Sequence, residues 1–380
     1  MKILYTNFHR RNGGGHVTYI LSLLRILGQE HDLTLATPAS SRLYRYAADV
    51  PGIAVVDMSY SSRPQRMVSE VRRLRRLLRE GRYDVVHVNA SADHRHVMLA
   101  CLGLRPRPRI IWTKHNDHPV RSLGHWLRAR LATDGVIAVS AFVHRMLLQS
   151  PYRRLPSHVI RHGVDTDYFS PPPPGQKQAW RSRLFGAGAG EVFALGSSGG
   201  TDEDKGWLDL VAAVASLPEV LRDRVRVVVA GDPPTGYRKQ RVEESGLGGQ
   251  IVFPGLVDDV RPVLGACDAG FVLSYREALS YACRETLSLG LPTLVSDAGG
   301  LPENVEDGVD GWIVPARGVA RIAEVVAHML ESPGTIAAMA EAARAKSVAE
   351  FNLSLFAQRT LEAYRQALRG TTPAGGSSPQ

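Results

Sequence analysis

The chain has 380 residues, 44% of them hydrophobic and 22% charged, a globular composition too long for one ordinary core and long enough for two domains. No run approaches the roughly 18 apolar residues of a membrane span, Met1–Asn7 lacks the features of a signal peptide, and Cys101, Cys267 and Cys283 are too scattered for a disulfide framework or a zinc site. A cytoplasmic protein is expected. The net charge of +9 is unevenly spread: residues 1–165 carry 26 Lys and Arg against 11 Asp and Glu, and the remainder 20 against 26. The first half is therefore expected to face an anionic partner, such as a phospholipid surface or a phosphorylated glycan.

In chain order, Lys2–Phe8 reads as a strand, Asn12-Gly13-Gly14-Gly15 as a turn and Val17–Leu27 as a helix. Apolar runs follow at Leu33–Ala36, Ile53–Val56, Val85–Val88, Ile110–Thr113 and Val136–Val139, with helical patterns near 64–80, 94–103, 122–132 and 141–149. Strands alternating with helices predict a parallel sheet covered on both faces. Pro171-Pro172-Pro173-Pro174-Gly175 reads as a stiff connector. Beyond it the alternation restarts, with runs at Val192–Leu195, Val225–Ala230, Ile251–Phe253, Gly270–Ser274, Thr293–Val295 and Trp312–Val314. The α/β fold expected is two doubly wound Rossmann-like domains, 1–170 and 171–350, with a functional cleft between them. A final helix, 351–369, is expected to pack back on the first domain, and the Gly/Ser/Pro-rich tail 370–380 to be disordered.

The sharpest chemical feature is the pair Glu277 and Glu285. If 278–289 is one helix, eight rises of ~1.5 Å separate the carboxylates by about 12 Å. That exceeds the roughly 5–5.5 Å of a retaining glycosidase pair and suits contacts at opposite ends of an elongated ligand. Between them, a helix N-terminus offers amides to a phosphate.

Downstream stand Gly290-Leu291-Pro292, Asp297, Gly299-Gly300-Leu301-Pro302-Glu303 and Asp307-Gly308-Val309-Asp310-Gly311. The whole run 277–315 resembles the donor-site signature of retaining glycosyltransferases of the GT-B fold, in family four of the sequence classification. Gly13-Gly14-Gly15-His16, Trp112-Thr113-Lys114-His115, Arg161-His162-Gly163-Val164-Asp165 and Lys205-Gly206 resemble other segments of that family in the same order.

The resemblance implies a metal-independent transferase that needs no cofactor and takes a nucleotide-sugar as donor. It implies that Glu285 accepts from the ribose, that Glu277 and the backbone of Leu279, Ser280 and Tyr281 meet sugar and diphosphate, and that Lys205 neutralises the diphosphate. It also implies that Gly14 and Gly15 let backbone approach the donor, that His115 lies beside the anomeric carbon or the sugar's hydroxyls, and that Gly196 and Ser197 open the phosphate turn. The family's usual Arg after Gly196 is absent, replaced by Ser197-Ser198-Gly199-Gly200-Thr201, and Arg276 and Arg284 are the nearby cations. His16, Asp93 and His94 are further candidates for acceptor contact.

Residues 66–79 predict a helix with an apolar stripe at 67, 71, 74 and 78 and arginines elsewhere, either as solvated cover for the sheet or as a docking surface for anionic lipid. No stacking aromatics interleave these arginines, so nucleic acid is not expected. The acceptor expected is a membrane-associated glycan, such as lipopolysaccharide or a lipid-linked saccharide. A UDP-sugar 2-epimerase and a non-catalytic nucleotide-sugar binder are the alternatives.

Overall fold

The structure, a computed structural model, describes residues 1–10, 14–186 and 188–370. The chain divides into two units: residues 1–163 with the C-terminal helix Leu353–Arg369, and residues 164–352. In the first unit, strands β1 (Lys2–Thr6), β2 (Asp32–Thr37), β3 (Ile53–Asp57), β4 (Val85–Val88), β5 (Arg109–Lys114), β6 (Gly135–Ala138) and β7 (Ser157–Val159) form a parallel sheet ordered β3-β2-β1-β4-β5-β6-β7. In the second, β8 (Phe193–Ser197), β9 (Val225–Val229), β10 (Ile251–Val252), β11 (Ala269–Val272), β12 (Thr293–Ser296) and β13 (Gly311–Val314) are ordered β10-β9-β8-β11-β12-β13, also parallel. Each order reverses once, at β1/β4 and at β8/β11, and such reversals open a crevice at the carboxyl ends of the strands.

Continuous apolar runs form these strands because helices cover both faces, leaving no solvent side for polar residues. Every residue of β4, β6, β11 and β12 is buried. His87 sits in β4 with no exposure because both ring nitrogens are satisfied, by Thr113 and by the Tyr364 hydroxyl. Tyr364 also meets Tyr5 at 3.0 Å, and Phe356 lies edge-on to Tyr19, so helix Leu353–Arg369 packs on the first unit as expected.

Three expectations change. The unit boundary lies at Val164, ahead of the proline run. Val164 donates to the Phe351 carbonyl, and Arg344 donates to the carbonyls of Thr166, Phe169 and Ser288, which fixes 164–170 to the second unit. The proline run does not simply break structure: Pro173 caps and Pro174 begins helix Pro174–Phe185, where a missing N–H costs nothing. The helix after Glu277 spans only Tyr281–Ser288, so Glu277 lies in the preceding loop and the 12 Å spacing does not apply. Residues 371–380 of the tail lie outside the described residues.

Helix Pro64–Gly81 buries Leu74 and Leu78, the core of the expected stripe, against helix Ser91–Cys101. Arg66, Arg72, Arg73, Arg76 and Arg79 are exposed, whereas Arg75 donates to the carbonyls of Ala100 and Leu102 at the neighbouring helix end. No helix is long and apolar enough to cross a membrane among the described residues.

Candidate functional site

Where the second sheet reverses, the loops after β8 and β11 are tied together. Tyr275 N–H donates to the Asp204 carbonyl at 2.8 Å. Gly206, at φ 68°, passes so close to Leu273 that a Cβ there would stand 2.0 Å from its carbonyl oxygen, so only glycine fits. This contact holds Lys205, in the short 3-10 turn Glu203–Lys205, against the opposite loop: its Nζ lies 3.6 Å from Oε2 of Glu277. The Gly300 N–H donates to the Glu277 carbonyl and pins the loop from below.

Helix Tyr281–Ser288 starts at the same place. Ser280 caps it, accepting from the Cys283 N–H at 3.3 Å, with φ at 98°. A non-glycine residue in that region is strained, and such strain collects at ligand sites. The first turn leaves N–H groups that a phosphate can take. One turn further in, burial pushes the Glu285 carboxyl up to about 7, against a smaller opposing effect of the Ser198 hydroxyl on the β8 loop. Lys205, Glu277, Ser280, Tyr281 and Glu285 therefore converge on one edge of the second sheet.

Other candidates are engaged elsewhere. Gly196 is buried inside β8, where a Cβ would lie 2.6 Å from Sγ of Cys267, so its glycine identity is explained by packing. The Ser197 hydroxyl accepts from the Gly199 N–H at 3.2 Å and shapes its own turn. Leu279 is 1% exposed and its carbonyl accepts from Asn304. Arg284 is buried over the Phe351 ring and donates to Asn304, so it does not stand in for the missing arginine.

In the first unit, His115 follows β5 and its Nε2 meets Oδ1 of Asn89, which follows β4, at 2.9 Å. Its ring lies 4.2 Å from that of His16, tilted by 41°, and edge-on to Tyr19. His16 in turn faces His9, 4.5 Å away. Burial, reinforced by neighbouring imidazoles, holds His115 well below the usual histidine range and His16 at about 3. Gly14, with φ 49° and ψ −136°, is a conformation suited to glycine, and with Gly15 it starts helix Gly15–Leu27 beside these rings; Gly13 lies outside the described residues.

Asp93 and His94 do not face an acceptor. Both are fully buried. Asp93 accepts from the Thr6 hydroxyl and the Asn89 N–H, stitching the β1/β4 reversal together, and His94 bonds the Ala132 carbonyl and Thr133.

Two family models match the chain, Glycosyltransferase Family 4 over residues 13–168 and Glycosyl transferases group 1 over residues 189–346, together spanning most of it. The chain belongs to the family 4 glycosyltransferases. The transferase is similar to the D-inositol 3-phosphate glycosyltransferase of Kribbella flavida, 28% identical over 94% of this chain and 91% of that protein. It is also similar to a GDP-mannose-dependent alpha-(1-6)-phosphatidylinositol monomannoside mannosyltransferase of Mycolicibacterium smegmatis, 26% identical over 90% and 92%. Among solved structures, Anabaena Alr3699/HepE in complex with UDP matches with a TM-score of 0.84, 20% identity, and coverage of 96% of this chain and 100% of that one. The UDP-glucose complex of that protein matches with a TM-score of 0.79. The transferase thus has the GT-B fold, each unit being a Rossmann-like domain.

Sequence reasoning missed two residues that organise these edges. Asn304, fully buried, donates to the Leu279 carbonyl at 2.7 Å and accepts from Arg284, fixing the loop before helix Tyr281–Ser288. Arg238 donates to the Thr201 carbonyl and lies 3.7 Å from Asp202, bracing the β8 loop. Neither belongs to a spacing pattern; Asn304 follows Glu303 of a recognised motif, the one signal available.

Proposed function

We propose that the transferase is retaining and metal-independent, and moves a sugar from a UDP- or GDP-sugar held by its second unit onto a membrane-associated glycan such as lipopolysaccharide or a lipid-linked saccharide. The observation that carries this reading is the approach of Lys205 to Glu277 at the β8/β11 reversal, beside the start of helix Tyr281–Ser288. Lys205 and the helix amides oppose the charge that grows on a leaving diphosphate. Glu285, once ionised, accepts from ribose hydroxyls. Glu277 and the backbone at 279–281 meet the transferred sugar, and His115 is the first unit's candidate catalytic group.

The nucleotide complexes of Alr3699/HepE support a nucleotide-sugar donor. The acceptor assignment draws on the mannosyltransferase, whose name specifies phosphatidylinositol monomannoside, and on the exposed arginines of helix Pro64–Gly81. Incubation with a panel of UDP-, GDP- and ADP-sugars plus a lipid extract tests the proposal. Transfer with retained anomeric configuration in the presence of a chelator is expected; neither transfer nor donor hydrolysis with any of them would overturn it.

A non-catalytic nucleotide-sugar binder is favoured by one observation, the lack of an arginine among residues 197–201 together with the commitment of Arg284 to Asn304. Such a protein would bind donor in calorimetry and turn none over.

A further inference from the structure

Asn89 is 2% exposed and stands at the β1/β4 reversal. Its amide nitrogen donates to the carbonyl of Thr6 at 3.0 Å and, more weakly, to that of His87 at 3.4 Å, while its oxygen meets Nε2 of His115 at 2.9 Å. The opposite amide orientation would aim a carbonyl oxygen at two other carbonyl oxygens, with no proton between them. The oxygen therefore faces His115, and because an amide oxygen only accepts, Nε2 carries the ring proton.

The clamp is itself held. The Asn89 N–H donates to Oδ2 of Asp93 at 3.0 Å, and the same oxygen accepts from the Thr6 hydroxyl at 2.7 Å. This gives buried Asp93 a purpose that its place in the sequence suggested for the acceptor instead. The ring plane of His115 is set by His16 on one side and by the edge-on ring of Tyr19 on another. With Nε2 engaged, Nδ1 is the ring atom left for a ligand.

We propose that Asn89 is a positioning residue that locks His115 in its Nε2–H tautomer, so that Nδ1 offers a lone pair to a substrate hydroxyl and repels an oxyanion. A lone-pair acceptor welcomes an O–H and disfavours a phosphate oxygen, so the group recognised at His115 is a hydroxyl. The tautomer follows from this structure alone; its use in the reaction rests on the function proposed above.

Nitrogen-15 NMR of the histidine rings in the full chain reads the tautomer directly, without any ligand. His115 is expected to show Nε2–H and a bare Nδ1; an Nδ1–H signature, or an imidazolium at neutral pH, overturns the proposal. Asn89→Ala is expected to populate both tautomers and to lower kcat about tenfold or more through the mispositioned ring, with nucleoside-diphosphate affinity nearly unchanged. A single tautomer in Asn89→Ala overturns the clamp. Mixed tautomers with undiminished transfer would instead leave the clamp standing and refute the role of His115 at a substrate hydroxyl.

Discussion

Replacing Glu285 with Gln is expected to make the ligand-free protein more stable at alkaline pH and to weaken its hold on the donor. Burial raises the Glu285 carboxyl from its ordinary 4.5 to about 7. The folded state thus keeps a proton that the unfolded chain releases above pH 4.5, so stability falls as pH rises towards 7 and stays lowered beyond. With each tenfold change in protonation worth about 1.4 kcal/mol, ionising the carboxyl inside the fold costs about 3 kcal/mol, and nearer 2 because the residue is only half-buried. Glutamine has no such term. Urea denaturation of both proteins at about pH 5 and about pH 8 should show little difference at the first and a gain of ~2–3 kcal/mol for Glu285→Gln at the second. Calorimetry with a nucleoside diphosphate should show the reverse ranking, with binding weakened about 10–100-fold by the loss of charge-assisted hydrogen bonds to the ribose. A pH-independent stability difference would refute the burial argument, and unchanged affinity would refute the ribose assignment.

Lys205→Ala should lower kcat by about 10²–10³-fold, as for removal of one preorganised charge from a reacting centre, while leaving thermal stability nearly unchanged; a loss confined to KM would contradict the leaving-group role. Gly206→Ala places a Cβ 2.0 Å from the Leu273 carbonyl oxygen at a positive φ, and should destabilise the second unit by more than ~1–3 kcal/mol in chemical denaturation. Changing Arg72, Arg73, Arg76 and Arg79 together to Glu should abolish sedimentation with anionic vesicles in a salt-sensitive way, and leave nucleotide binding intact; equal sedimentation of both proteins would dispose of the docking surface.

The sheets were legible because each buried strand is a short apolar run bounded by turn residues. β4 and β9 fell within a residue of their expected limits. β7 was not legible: Ser157-His158-Val159 is a half-buried edge with no apolar run, and its place comes from pairing with β6. The start of helix Tyr281–Ser288 was misplaced because Ala278 and Leu279 are apolar and fit a helical pattern, yet both are buried by tertiary packing before the Ser280 cap. Glu277, Glu285 and Lys205 stood out through resemblance to a family, while the helical spacing assumed for the two glutamates did not hold because Glu277 precedes the helix. Asp93 and His94 misled because a polar residue soon after a strand reads as surface, whereas here the strand-end polar groups must be satisfied internally. Asn89 gave no signal, since its meaning depends on three segments far apart in sequence.

The account turns on where a nucleoside diphosphate binds. Hydrogen exchange with and without UDP or GDP measures this across the whole chain. Slowed exchange at 198–206 and 277–288 is the predicted result; protection confined to other segments, with these two unchanged at saturating nucleotide, would contradict it.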